Sequence, residues 1–529
     1  MTGKITPEKQ TALDWIAANE KRLSDDHMTI WNFHEPSWRE YRSAAWYVER
    51  LRAEGFTVEP GSAGMPTAFS ATYGADGPVI GCYAEYDAVP GTSQDPVPYR
   101  KPRDGVHEYA AGHTDPHSAL GLGGLTGALA MKQAMDKHGI RARIKFFGEP
   151  AEKMCGSKPV HASHGYYDDL DAMISFHPTS LPSLSNTTIW ETHCGCYWSK
   201  VFTFECREPE TWSAAGERRG NQNSHSIARA PGAIDALCLM YTTTKYTKES
   251  MLPHSGSWTL NEAILGTGQA TSDNLAPRLG QIQYAWRCPT IEMAETINDV
   301  LENNAKHVAG ITHTEVTGSW VTKTRPGLAN NALSALTFEN FKLVGPPSFA
   351  GEAKAFGREM MKNLGYDAPD EPFAPELEQL VEPREGERQM REALPPWQKN
   401  FTSDDYVEYT WHAPTVRLYV GRPALKPLPD GKRVPHWCHC ALAGVPAAMD
   451  PMFLTAGRVI ALTGLELMTD PAALARCRAE FETRTGGGIG GSQWIPPLLG
   501  KDFPAPVHFN WPEYVETVRG REWTIPTPL

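Results

Sequence analysis

The stretch "AAGHTDPHSALGLGG", residues 110–124, sets three side chains able to bind a metal, His113, Asp115 and His117, at alternate positions before a run of small residues. Asp115 and His117, two apart in an extended segment, can point the same way. Hydrolytic metal sites use such donors, and they also need an open coordination position and a general base within reach of water. Three other places supply matching groups. "GPVIGCYAEYD" (77–87) ends in Glu85 and Asp87, "RARIKFFGEPAE" (141–152) in Glu149 and Glu152, and "LDAMISFHP" (170–178) in His177. Each alone reads as an ordinary satisfied polar residue. Jointly, at the ends of apolar runs and the start of a helix, they point to one site.

The elements that must position them follow from the same runs. The three apolar runs read as buried strands, and 118–138, of small and aliphatic residues, as the helix between the first two. Two more helices precede them, one in "TPEKQTALDWIAANEKRLSDDHMTIW" with Thr6 as N-cap and Pro7 in its first turn, and one over about 38–54. Strands alternating with helices predict an α/β fold with a mixed, largely parallel sheet flanked by helices, whose ligands bind beyond the carboxyl ends of the strands. The texture changes at about 190. "CGCYWSKVFTFECRE", 230–249, "LGQIQYAWRCP", "TIEMAETINDVLENNAKHV" and "THTEVTGSWVTKTRP" read as strand, helix, strand, helix and strand of a smaller α+β unit. After about 330 come helices, a strand in "PTVRLYVG", a helix at 453–468, and a glycine- and proline-rich extended tail.

The chain has 529 residues, too many for one core, so two or three folding units are expected. An apolar fraction of 41% and a charged fraction of 21% suit a globular enzyme, and the net charge of −12 speaks against a nucleic-acid partner. The first residues show no apolar signal core, and no stretch approaches the ~18–20 apolar residues of a membrane span, so a cytoplasmic location with no membrane partner is expected. The ten cysteines read as buried thiols. The rival, a structural zinc on "HCGC" (His193, Cys194, Cys196) and "HWCHC" (His436, Cys438, His439, Cys440), has a less diagnostic spacing than paired Cys-x-x-Cys, with its halves in different segments.

At these residues the sequence resembles the aminoacylase/carboxypeptidase-type metallopeptidases, in their amidohydrolase branch, nearest to the type of the p-aminobenzoyl-glutamate hydrolase B chain. "YAEYDAVPG", "GHTDPHSALG", "GEPAEK", "DDLDAMISFHP" and "NSHSIARAPGAIDAL" carry the likeness, in order, within roughly 10–470. The resemblance implies a catalytic domain (1–189 and 329–480) interrupted by a lid and dimerisation domain (190–328), with the tail at 481–529. It also implies two divalent metals, zinc or manganese, bridged by one ligand (one or two per chain, given Lys153 in place of a ligand Glu), a small-molecule substrate and a homodimer formed through the lid. Position by position, it makes Asp115 the bridging ligand and His117, His177 and His436 further ligands. Glu152 becomes the general base, Asp87 the acid that orients the site, and His225 the group that reaches the substrate carbonyl. Asn274 and Arg287 would hold a substrate carboxylate, a task that suits a guanidinium. Trp190, Trp198 and Trp212 read as pocket lining or as core.

One position departs from the pattern. The second Glu of the pair, a metal ligand in the family, is Lys153. Glu149 replaces it, or the ammonium takes the place of one ion, or Lys153 points away. The function expected is metal-dependent hydrolysis of an amide bond in an N-acyl amino acid or related small molecule. The alternatives are a metal-poor relative that binds without hydrolysis and a hydrolase of an unusual non-peptide C–N bond.

Overall fold

The computed structural model describes residues 4–207, 231–253, 257–267 and 276–524. Its strands, in chain order, are β1 (Thr57–Pro60), β2 (Phe69–Tyr73), β3 (Val79–Ala84), β4 (Arg143–Gly148), β5 (Ala172–Thr179), β6 (Thr187–Thr188) and β7 (Cys194–Glu205). They continue as β8 (Thr259–Gly266), β9 (Leu279–Cys288), β10 (Glu315–Lys323), β11 (Phe401–Ser403), β12 (Thr415–Gly421), β13 (Tyr514–Thr517) and β14 (Gly520–Trp523).

Seven of these form one mixed sheet in the order β1-β2-β4-β3-β5-β12-β6. Its middle strands β4, β3, β5 and β12 are parallel, and β1, β2 and β6 extend it antiparallel. The α/β fold with a largely parallel sheet flanked by helices is therefore present. A second sheet, β10-β7-β9-β8, is antiparallel, with β11 added in parallel to β7. It carries its own apolar core, in which Trp198 packs against Trp286 and Trp320.

The His117–His138 helix lies so close to the first sheet that small residues are obligatory on its inner face. A Cβ at Gly124 would overlap the Tyr83 carbonyl oxygen, and one at Gly127 would press on Ile460 of the Pro446–Thr469 helix. Glycine costs a helix about 1 kcal/mol relative to alanine, and here close packing on both sides offsets it. The Pro446–Thr469 helix is long and apolar enough to cross a membrane, which corrects the expectation that no stretch approaches that length. It is a core helix instead, with 89% of its most apolar window buried.

The tail is not wholly extended. β13 and β14 form a hairpin whose Tyr514 and Trp523 pack on Ala110 and Ala111, the residues that lead into the His113–His117 segment. Glu513 pairs with Arg39 at 3.0 Å and the Tyr514 hydroxyl meets His34 Nδ1 at 2.7 Å, fixing this cover to the first helices.

Candidate metal centre

The carboxyl ends of the parallel strands deliver the site. Glu85 and Asp87 follow β3, the Glu152–Met154 turn follows β4, His177 lies near the end of β5, and His117 opens its helix just after Asp115. Asp404 and Asp405 arrive from the segment after β11. The turn that presents Glu152 and Lys153 is bounded by two non-glycine residues in left-handed conformation, Ala151 (φ 56°) and Cys155 (φ 48°). Such residues cost on the order of 1–3 kcal/mol each and persist only where the surroundings fix them. Here Glu40 accepts from the Ala151 N–H at 2.7 Å, Asp87 from the Lys153 N–H at 3.0 Å, and the Cys155 carbonyl from Thr322 Oγ1 of β10 at 2.6 Å.

His117 is at the centre, fully buried. Its Nδ1 is 2.6 Å from Asp87 Oδ1, and Ser37 Oγ donates to Asp87 Oδ2 at 2.7 Å. A carboxylate behind a ring nitrogen fixes the orientation of the imidazole and turns the other nitrogen to the site. That atom, Nε2, lies 3.3 Å from Glu152 Oε2, 3.4 Å from Glu85 Oε2 and 3.6 Å from Asp115 Oδ2. His177 Nε2 is 3.8 Å from the same Asp115 oxygen. Two lysines enter the cluster. Lys153 Nζ donates to Asp115 Oδ2 at 2.6 Å and lies 3.1 Å from Glu152 Oε2. Lys158 Nζ, wholly buried, donates to Glu85 Oε1 and to Asp405 Oδ1, both at 2.7 Å. Arg417, from β12, pairs with Asp404 at 2.5 Å.

Four buried atoms here have no hydrogen-bond partner among the described residues: Glu85 Oε2, His117 Nε2, Glu152 Oε2 and Asp405 Oδ2. Buried polar atoms are rarely left so, because each costs about 1–3 kcal/mol. Close donor groups form around them, Glu85 with His117 and His177, Asp87 with His117 and Glu152, and Glu152 with Asp404 and Asp405. Mixed oxygen and imidazole donors that lack protein partners suit a divalent metal ion.

The electrostatics agree. Burial opposes ionisation of Asp115, yet Lys153 and the imidazoles outweigh it and hold this carboxyl well below the usual carboxylate range. Burial is likewise outweighed at Glu152 by Lys153, His117 and Lys158, so Glu152 is ionised. Burial pushes Glu85 up to about 7 against the pull of Lys158. Burial and Lys153 oppose a charge on His117, but Asp87 and Glu85 prevail and raise it well above the ordinary histidine value. The pocket favours positive charge.

Of the residues singled out in the sequence, Glu85, Asp87, Asp115, His117, Glu152 and His177 come together. Glu149 turns away, held by His161 at 3.0 Å, Tyr167 at 2.7 Å and Tyr409 at 3.2 Å. Lys153 points inward. His113 is buried without a polar partner among the described residues and stands in none of the close donor groups, which also omit His436. His436 is exposed at the start of the His436–Ala443 helix, its carbonyl accepting from Thr114. Arg287, on β9, donates to the Ser403 carbonyl at 3.0 Å and hydroxyl at 2.7 Å, which ties β9 to the Asp404–Asp405 segment. His225, Asn274 and Trp212 lie outside the described residues. Among the described residues every cysteine is a free thiol, and Cys194, Cys196, Cys438 and Cys440 are buried.

Sequence reading did not single out Asp404, Asp405, Lys158 or Arg417 for the site. Only Arg417 left a signal, a charged residue inside the apolar strand "TVRLYVG".

Fold and site together define an α/β protein with a candidate divalent-metal centre beyond the carboxyl ends of its parallel strands. No family model matches the chain. It is a homologue of the B chain of p-aminobenzoyl-glutamate hydrolase of Escherichia coli (strain K12), 26% identical over 351 residues that span 66% of this chain and 68% of that protein. It is also similar to the Xaa-Arg dipeptidase of Mus musculus, 22% identical over 316 residues, 56% of this chain and 62% of the relative. Among solved structures, the aminobenzoyl-glutamate utilization protein from Klebsiella pneumoniae aligns over 85% of this chain and 98% of its own, with 12% identity and a TM-score of 0.48.

Proposed function

We propose that this chain is a metal-dependent amidohydrolase that cleaves the C–N amide bond of an N-acyl amino acid or a related small molecule. The observation that carries the reading is the convergence of Glu85 Oε2 and Glu152 Oε2 on His117 Nε2, 3.4 and 3.3 Å away, three buried atoms without a hydrogen-bond partner among the described residues, with the Lys153 ammonium paired to Glu152 Oε2 at 3.1 Å. Its sequence relatives, named for hydrolysis of p-aminobenzoyl-glutamate and for dipeptidase action, support the choice of an amide bond.

Residues among Glu85, Asp115, His117 and His177 would hold the ion. Zinc or manganese suits a set of imidazoles and carboxylates. When bound, such an ion supplies Lewis acidity toward a carbonyl oxygen and toward water. Glu152, ionised and 3.3 Å from His117 Nε2, takes the proton of the attacking water and passes it to the leaving nitrogen. Asp87 holds the His117 ring. His225 is assigned to the developing oxyanion, and Asn274 and Arg287 to the carboxylate of the amino-acid half.

The second sheet is proposed as the lid and the dimer contact. Support comes from β8, which lies at its edge, and from exposed Ile264, Tyr241 and Tyr246 on β8 and the neighbouring Ala233–Met251 helix. An open edge strand pairs readily with a second copy.

The test is hydrolysis of p-aminobenzoyl-glutamate and a panel of N-acyl amino acids by the metal-loaded protein, with and without Glu152→Gln. Glutamine keeps the shape and one acceptor oxygen but takes no proton at neutral pH. The variant is expected to keep its metal and lose turnover by about 10²–10⁴-fold. Near-normal turnover in the variant, or no hydrolysis of any amide by the native protein, overturns the reading.

A further inference from the structure

The site holds more carboxylates than one ion needs, and each of them has a partner or lacks one. Asp87 spends both oxygens, Oδ1 on His117 and Oδ2 on Ser37 Oγ and the Lys153 N–H. Asp404 has Arg417 at 2.5 Å, and Asp405 has Lys158 at 2.7 Å. Asp115 has Lys153 at 2.6 Å, and the same ammonium is 3.1 Å from Glu152. Thus Asp115, Glu152 and Asp404 each already face a fixed protein cation, while Asp405, like Glu85, gives one oxygen to Lys158 and keeps the other without a partner among the described residues; of these two only Glu85 stands in a close donor group with two imidazoles.

A different account holds on the other side of His117. Lys158 takes Oε1 of Glu85 and leaves Oε2 without a partner among the described residues. His117 gives Nδ1 to Asp87, which leaves Nε2 facing the site. His177 Nδ1 is 2.6 Å from the Pro178 carbonyl, an acceptor only, so Nδ1 carries the proton and Nε2 the lone pair. One donor atom from each of Glu85, His117 and His177 lies within 4.8 Å of the other two. Three protein donors with a remaining open position are the ligand number of a catalytic zinc site.

We propose that the centre takes a single divalent ion, held by Glu85, His117 and His177, and that the Lys153 ammonium is the built-in cation between Asp115 and Glu152. A metal ion bound to those two carboxylates would have to lie about 2.0–2.2 Å from oxygens that already hold Nζ at hydrogen-bond distance, so ion and ammonium exclude each other. The inference rests on the reading of this cluster as a metal centre. It departs from the ligand set that the sequence alone suggests, because Asp115 becomes the partner of a lysine and Glu85 becomes a ligand.

The experiment is metal content by plasma mass spectrometry after equilibrium dialysis of the full-length protein against excess zinc, with cobalt substitution to read the coordination spectrum. The native chain is expected to hold one ion. Glu85→Gln and His177→Ala are expected to weaken retention at least tenfold, while Asp115→Asn keeps the ion and its cobalt spectrum. Lys153→Glu is expected to raise the content toward two. Lys153→Met, which removes the charge without adding a ligand, is expected to raise it above one at saturating zinc and covers the case in which the glutamate variant does not fold. Two ions in the native protein, none at all, loss of the ion in Asp115→Asn, or an unchanged single ion in the folded Lys153 variants would each overturn the proposal. Because the readout is stoichiometry, one bound ion with no amide hydrolysis refutes the proposed function and leaves this inference standing. Two bound ions with hydrolysis do the reverse.

Discussion

Replacing Lys158 by methionine tests the electrostatic account of the site most directly. Lys158 is buried in the short Ser157–Ser163 helix, over the face of Tyr83, with Glu85 and Asp405 both 2.7 Å from its ammonium. Both carboxylates are themselves fully buried. Methionine keeps most of the stem volume, so the change removes charge rather than packing. Removing one partner of a buried ion pair costs about 3–5 kcal/mol, because the other charge is left uncompensated. For 529 residues the unfolding entropy is about 1.1 kcal/mol/K, from ~2.1 cal/mol/K per residue, so the melting temperature should fall by about 3–5 °C. The assay is scanning calorimetry with chelator present, so that ion binding at Glu85 does not enter. Asp405→Asn in the Lys158→Met background removes one of the two stranded charges and should recover about half of the loss. A Lys158→Met protein that melts within about 1 °C of the native one would refute the claim that this lysine holds two buried carboxylates together.

Burial lowers His27 and His34 to about 3, from 6.5. Between these values the unfolded chain binds the protons, so the stabilisation is complete above about pH 6.5 and is lost as the pH falls toward 3; at pH 5 the loss is about 2 kcal/mol per histidine. Urea unfolding of His27→Gln at pH 7.5 and pH 5 should show a pH dependence smaller by that amount, and an unchanged dependence counts against the assignment. Gly124→Ala would drive a methyl group into the Tyr83 carbonyl and should cost about 1–3 kcal/mol. Gly310→Ala, exposed in the Ile291–Thr312 helix with nothing within 4 Å of the added carbon, should stabilise by about 0.5–1 kcal/mol. The same sign for both in thermal melts would show that close approach to β3 is not what requires glycine at 124.

The parts of the fold that were legible in the sequence are those with a strong local signal. The apolar runs that became β3, β4 and β5 are buried and end in polar groups, and the run of small residues after His117 became a helix. β1, β2 and β6 are short strands at or near the margins of the first sheet, and neighbouring strands rather than their own pattern define them. β8, "TLNEAILG", is an edge strand with one face largely exposed, so its alternation is weak. The tail hairpin β13–β14 is held by Arg39, His34 and Ala110, all more than 400 residues away in the chain, and no local pattern announces such contacts.

The site divides along the same physical line. Asp87, His117, Glu152 and His177 follow from strand ends and helix starts, because parallel strands bring their carboxyl ends to one edge. What strand ends do not give is the direction of each side chain. Glu149 and Glu152 are three residues apart after the same strand, yet Glu149 turns to His161 and two tyrosines while Glu152 enters the site. The left-handed residues Ala151 and Cys155 make that difference, and they are held by Glu40, Asp87 and Thr322, three positions remote in sequence. The same turn aims Lys153 at Asp115, and the helix that follows brings Lys158 to Glu85 and Asp405. One short segment thus places the proposed base and both ammonium groups, and because Thr322 belongs to the second sheet, its geometry also depends on where that sheet sits.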